Sequence, residues 1–302
     1  MLDLHHCTIC PRRCGVDRAV RPGFCGAGMR ARVALVSLHP WEEPCLTGEK
    51  GAGTVFFSFC NLRCCYCQNH EISHGGKGIE VSDERLAEIF LEQQARGAAT
   101  LDLVTPTHFV LQILHALALA RAQGFALPVV YNSSGYETVE TIDALAGQVA
   151  IYLPDLKYAS AESAGEYSAA PDYFPVAQAA LRRMVAQVGT VQFAADGRMV
   201  RGVLVRHMVL PGHRHESMKL LDWLWQEFGD TVQLSLMNQY TPMFHAAEHR
   251  PLHRRLTTFE YESVVEHALD LGITHCYVQE RRAASKEYVP CFDGRGVRKP
   301  AT

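Results

Sequence analysis

At 302 residues, 48% of them apolar, the chain is long enough to bury a large core, and one α/β barrel commonly fills such a length. Its 29 Lys and Arg against 32 Asp and Glu leave a formal net charge of −3, with no dense basic block to track a phosphate backbone, so no nucleic acid partner is expected. No apolar run reaches the roughly 18 residues of a membrane helix, and "MLDLHHCTIC" lacks the basic start and apolar stretch of a signal peptide; a cytoplasmic protein with no membrane partner is expected.

The first 50 residues are rich in Gly, Pro, Cys and Arg and carry little sustained periodicity, the pattern of a small lobe stapled by metal. From residue 54 the texture changes to short apolar runs alternating with amphipathic segments, which predicts βα units around a parallel sheet. The expected strands are "TVFFSF" (54–59), "LDLVT" (101–105), "PVVYNS" (128–133), "AIYLPDL" (150–156), "GVLVRHMVL" (202–210), "VQLSLMNQY" (232–240) and "HCYVQE" (275–280). Being mostly apolar, they suit strands covered on both faces. Between them, "SDERLAEIFLEQQARG" places Leu86, Ile89 and Phe90 on one helix face, with Ser82 as N-cap and Gly97 as the stop. "HFVLQILHALALARAQG" repeats the pattern, and further helices are expected around 176–188, 215–228 and 258–271. Asp196-Gly197 reads as a hairpin turn before the fifth strand. Six or seven such units imply an open or partial barrel. The expected division is a Cys-rich metal-binding lobe (1–50), a partial barrel (51–280) and a loop-like tail (281–302).

Eleven cysteines are unevenly spread. Cys7, Cys10, Cys14 and Cys25 form one group; Cys60, Cys64, Cys65 and Cys67 form another; Cys45, Cys276 and Cys291 stand alone. Structural disulfides do not normally persist in a reducing compartment, so two tight groups predict two metal centres. Cys60, Cys64 and Cys67 give C-x3-C-x2-C just past the first expected strand, where parallel barrels place their chemistry. Such a loop can give one thiolate to each of three irons of a cubane and leave the fourth open for a substrate. Other readings stand beside this one. Cys60, Cys64, Cys67 and His70 also make a three-thiolate, one-imidazole zinc set, and Cys64 with Cys67 a redox dithiol. Cys65 reads as a small buried residue.

"CNLRCCYCQN", preceded by a β-run and followed by βα units, resembles the radical S-adenosylmethionine (SAM) superfamily. "HPWEEPCLTGEKGAGTVFFSFCNLRC", "LVTPTHFV", "VVYNSSGYE", "YLPDLKY" and "VRHMVLPGH" resemble its pyruvate formate-lyase-activating-enzyme-like branch, from about residue 7 to 280. The fold implied is α/β, a partial parallel (β/α) barrel of the radical SAM type with a small N-terminal Cys-rich lobe. The resemblance further implies a 4Fe-4S cluster on Cys60, Cys64 and Cys67 that binds S-adenosylmethionine and cleaves it reductively to a 5′-deoxyadenosyl radical for hydrogen abstraction. Asn132, Ser133, Asp155, Lys157 and Arg206 match positions that surround S-adenosylmethionine in the resembling activases, with Arg206 directed to the methionine carboxylate and Tyr66 beside the adenine. Two departures stand out. A Gly-Gly-Glu after the second strand is replaced by "TPTH", leaving Thr105 and Thr107 as substitutes, and "NQYTP" stands where a His is common, which leaves Gln239 and Tyr240 as weaker candidates. An electron donor such as flavodoxin or ferredoxin is implied, as is a protein, peptide or small-molecule substrate. Activation of a glycyl radical enzyme is one such reaction.

Cys7, Cys10, Cys14 and Cys25, in C-x2-C-x3-C-x10-C, fit a second 4Fe-4S cluster or a closed zinc site. His39, Glu42 and Glu43 in "HPWEEP" are candidates for acid/base work or for gripping a cation, solvated loop carboxylates being the plainer reading. Among the 15 histidines, His108, His207, His213 and His245 are placed near the pocket, with packed or surface roles as the default. The competing function is a non-catalytic iron-sulfur or zinc-binding assembly or transfer module.

Overall fold

The structure, a computed structural model, describes residues 2–280 and 290–299. Among these, ten strands form one sheet: β1 (Ala31–His39), β2 (Ala52–Phe57), β3 (Ile79–Val81), β4 (Leu101–Val104), β5 (Val129–Ser133), β6 (Ile151–Pro154), β7 (Gln192–Phe193), β8 (Met199–Met208), β9 (Gln233–Met237) and β10 (Cys276–Val278). The order is β10-β9-β8-β6-β5-β4-β2-β1-β3, with β7 hanging on β8. From β2 to β10 every pairing along that path is parallel. The sheet therefore curls as a partial barrel without closing, and its seven parallel strands are the seven apolar runs expected. At the near edge β1 runs antiparallel to both β2 and β3.

The helices are α1 (Pro44–Thr47), α2 (His70–Ser73), α3 (Asp83–Ala95), α4 (Val110–Arg121), α5 (Val139–Ala144), α6 (Ala161–Ser168), α7 (Tyr173–Val188), α8 (Arg214–Phe228) and α9 (Thr258–Asp270). Ser82 caps α3 as expected, its side chain accepting from the Arg85 N–H, and Gly97 follows the helix at φ +81°. Gly197 sits at φ +82° in the expected turn between β7 and β8.

Residues 31–39, expected within the lobe of residues 1–50, form β1 and so belong to the sheet. Of the expected tail, residues 290–299 lie along β1: the Gly294 N–H donates to the Ala34 carbonyl and the Val36 N–H to that of Arg295, while Phe292 and Val297 are buried. Residues 281–289, and those after 299, lie outside the described residues.

Strand alternation sorts the core into two faces. Outward, residues such as Leu103, Tyr131, Tyr152 and Val203 pack under the helices. Inward, Val130, Ile151, Leu153 and Leu204 meet Cys45 and Leu46 of α1. The Thr100 hydroxyl, just before β4, donates to the Leu46 carbonyl at 3.1 Å. α1 thus plugs the amino-terminal end of the barrel and leaves the carboxyl ends of the strands open. No helix among the described residues is long and apolar enough to cross a membrane.

Candidate functional site

A cavity of about 420 Å³ opens at the carboxyl ends of the parallel strands, lined by Cys60, Cys64 and Cys67 on one side and strand-end polar residues on the other. The cysteine loop starts where β2 ends. There Phe59 takes the left-handed conformation at φ +73°, uncommon for a residue with a side chain. Its ring is held between two glycines: a Cβ on Gly26 would stand 2.8 Å from it and one on Gly76 2.4 Å. This clasp turns the backbone so that Cys60 faces the cavity.

All three sulfurs have polar company. The Ser168 hydroxyl donates to Cys64 Sγ at 2.9 Å, the Leu62 N–H to Cys60 Sγ at 3.4 Å, and the Ser73 hydroxyl lies 3.2 Å from Cys67 Sγ. Burial pushes the three thiols up, Cys67 to about 11. Lys157 opposes that rise at each of them. Among the described residues no three His, Cys, Asp or Glu side chains converge on a point as a single metal ion requires. The zinc alternative also lacks its imidazole: His70 stacks on Phe244 with ring centroids 4.9 Å apart and points Nδ1 at the Cys67 carbonyl, 3.3 Å away. A cubane takes one thiolate per iron, so its cysteines need not converge, and three cysteines leave one metal position free. The residues present fit that group.

The opposite wall is built from strand ends. Arg206 on β8 donates through Nε to Asp155 Oδ1 at 3.0 Å and through its NH2 nitrogen to Asn132 Oδ1 at 2.6 Å, with Glu42 Oε2 3.6 Å from the NH1 nitrogen. Lys157 Nζ lies 2.7 Å from Asp155 Oδ2. Burial alone would raise the Asp155 carboxyl, but the Lys157 and Arg206 charges outweigh it and hold Asp155 below the usual range. Beneath them Asp102, fully buried in β4, accepts from Asn132 Nδ2 at 3.3 Å. Burial, and then the Glu42 carboxylate beside it, push Asp102 well above the usual range. Burial likewise raises Glu43, against the pull of Arg206.

The other expected residues are distributed as follows. Tyr66 and Thr105 line the cavity, Tyr66 with its hydroxyl 2.6 Å from that of Tyr158 and Thr105 at φ +59°. Ser133 also lines it, its hydroxyl accepting from the Gly135 N–H at 3.2 Å. His39, Glu42, Glu43 and Gln239 reach it too. Thr107 does not: it is buried and donates to Glu137 at 2.5 Å. Tyr240 is a packing residue, edge-on to Tyr66, with its hydroxyl on the Leu252 carbonyl. None of His108, His207, His213 and His245 lines this cavity. His108 Nε2 donates to the Ser58 carbonyl, His207 Nδ1 to that of Leu156, His213 Nδ1 lies 3.1 Å from Glu216, and His245 is exposed beside Glu248. Asp102 went unnoticed in the sequence; a carboxylate inside the apolar run "LDLV" was the available signal.

The second group of cysteines lies in the loops before β1, with Cys7, Cys10 and Cys25 buried and Cys14 half-buried. Tight turns present them: the Arg13 N–H donates to the Cys10 carbonyl and the Gly15 N–H to that of Cys7. A Cβ on Gly23 would stand 2.6 Å from Cys14 Sγ. None of the eleven cysteines is in a disulfide.

No family model matches the chain. The uncharacterized protein MJ0674 of Methanocaldococcus jannaschii is 29% identical over 274 residues, which cover 86% of this chain and 73% of that protein. Solved structures with a related course of chain include Streptococcus suis SuiB bound to precursor peptide SuiA, at 12% identity and a TM-score of 0.46 over 73% of this chain and 46% of that one. Native anSMEcpe with bound AdoMet gives 12% identity and a TM-score of 0.49, over 78% of this chain and 62% of that one. The chain thus spans about half the length of SuiB.

Proposed function

We propose that the protein is a radical S-adenosylmethionine enzyme. The observation that carries this reading is that Cys60, Cys64 and Cys67, and no fourth cysteine, line one cavity at the carboxyl end of the first parallel strand, opposite a wall of charged strand ends. These three would hold a 4Fe-4S cluster. When bound, the cluster would supply one-electron cleavage of the sulfonium of S-adenosylmethionine to methionine and a 5′-deoxyadenosyl radical for hydrogen abstraction, with an electron from a carrier such as flavodoxin or ferredoxin.

The chain's own residues bind, orient and exclude water. Asn132, Ser133 and Thr105 offer polar atoms at the ends of β5 and β4, Tyr66 offers an aromatic face, and Lys157 supplies a cation beside the cysteines. Asp155 and Arg206 already satisfy one another, so they enter as a preset pair of fixed geometry. The substrate belongs to the protein, peptide or small-molecule class, and installing a glycyl radical on a partner protein is the reaction closest to the sequence resemblance.

The test is anaerobic. Reconstituted and reduced protein given S-adenosylmethionine should form 5′-deoxyadenosine, and Cys64→Ala should abolish this without changing the circular dichroism spectrum. Wild-type protein that binds iron and cleaves nothing would identify a non-catalytic cluster-binding module instead.

A further inference from the structure

Arg18 is the buried cation that the proposed reaction does not use. It is 4% exposed. Its Nε donates to Cys7 Sγ at 3.2 Å, its NH2 nitrogen lies 4.0 Å from Cys25 Sγ, and its NH1 nitrogen donates to the His108 carbonyl at 2.6 Å. Among the described residues no carboxylate forms an ion pair with it. Taking a guanidinium out of water is costly unless an anion receives it, and a neutral thiol is only a weak acceptor. The surroundings of Arg18 therefore make electrostatic sense when the sulfurs are thiolates. Buried thiols become thiolates by binding metal, and four of them outweigh the net charge of a 4Fe-4S core, its inorganic sulfides included, and leave the centre anionic.

We propose that Cys7, Cys10, Cys14 and Cys25 hold a second 4Fe-4S cluster, and that the Arg18 guanidinium is its built-in counter-charge. The Cys7 and Cys25 sulfurs flank the guanidinium, and among the described residues no three His, Cys, Asp or Glu side chains meet on one point, as zinc ligands must, whereas a cubane takes one thiolate per iron. Four cysteines occupy all four irons, so this centre has no open position and does no chemistry on a substrate. It has a mechanical role. The lobe grips the cavity's cysteine loop directly: Arg12 Nε donates to the Asn61 carbonyl at 2.9 Å, Arg63 donates back to the Phe24 carbonyl at 2.7 Å, and Gly26, next to Cys25, bears on the Phe59 ring.

The decisive experiment removes the cavity site first. Anaerobically reconstituted protein with Cys60, Cys64 and Cys67 all changed to Ala should retain about four irons per chain, and adding Cys10→Ser should remove them. Zinc in place of iron in the triple variant, or no metal, overturns the proposal while leaving the reading of the cavity intact. If the triple variant does not fold, iron in the wild-type protein and in Cys10→Ser is compared. A fall from about eight to about four supports the second cluster, and an unchanged count overturns it. In the triple variant, Arg18→Gln should retain its iron but lower the reduction potential, because a lost fixed positive charge disfavours the added electron. A potential unmoved by Arg18→Gln would overturn the counter-charge role.

Discussion

Arg206 lies against Asp155, Asn132 and Glu42, and each contact has a consequence that needs no substrate. Removing one member of a buried charge network leaves the others unpaired, so Arg206→Met should destabilise the protein by about 3 kcal/mol in chemical denaturation, even without cofactor. Had the guanidinium been free for an incoming carboxylate, as the sequence resemblance implies, that loss would be small. Glu137 ties stability to pH. Burial pushes its carboxyl from 4.5 up to about 8, although Thr107, Ser133 and Tyr131 donate to it. Below pH 4.5 folded and unfolded chains both hold the proton. Between 4.5 and about 8 only the folded chain does, so stability falls as pH rises through that window and is level above it. Unfolding free energies from urea titrations between pH 5 and pH 8.5 should therefore decline in the wild type by about a few kcal/mol and stay level in Glu137→Gln, which mimics the protonated acid. The three cavity cysteines were legible because their spacing is local. Glu137, Arg18 and Asp102 were not, because what distinguishes them is burial and a partner tens of residues away, such as the 90 residues between Arg18 and His108.

Helix α1 shows how little chain an element needs when packing holds it. Four residues long, with Pro44 at its start, it exists because Leu46 and Cys45 fill the barrel floor against Val130, Ile151 and Leu204. Leu46→Ala should cost about 3 kcal/mol by the cavity it leaves, read as a lower denaturation midpoint. α9 depends instead on its first turn, where Thr257 and Glu260 form a reciprocal capping box. Thr257→Ala should lower stability by about 1 kcal/mol. The parallel strands and the long helices were readable because each shows its own apolar pattern over enough residues. α5 and α6 were not: six and eight residues span too few turns to reveal a period. β1 was hidden for another reason, since its run "ARVALVSLH" follows a Gly- and Cys-rich stretch whose composition suggested a separate lobe.

At the scale of the molecule, the lobe before β1 and the cysteine loop are one mechanical unit. Arg12 ties them, donating to the Asn61 and Ala169 carbonyls and lying over the rings of Phe24 and Tyr136. Arg12→Ala should raise hydrogen exchange in residues 2–30 and in the 60–67 loop together, leaving amides of β5 and β6 protected. Exchange confined to the lobe would show that the two move independently. The Phe59 ring, wedged between Gly26 and Gly76, carries this coupling into evolutionary terms. The three positions should therefore be inherited together. Descendants that keep an aromatic ring at 59 should keep bare backbone at both 26 and 76, and a lineage that acquires a side chain at either should be found to have shed the ring.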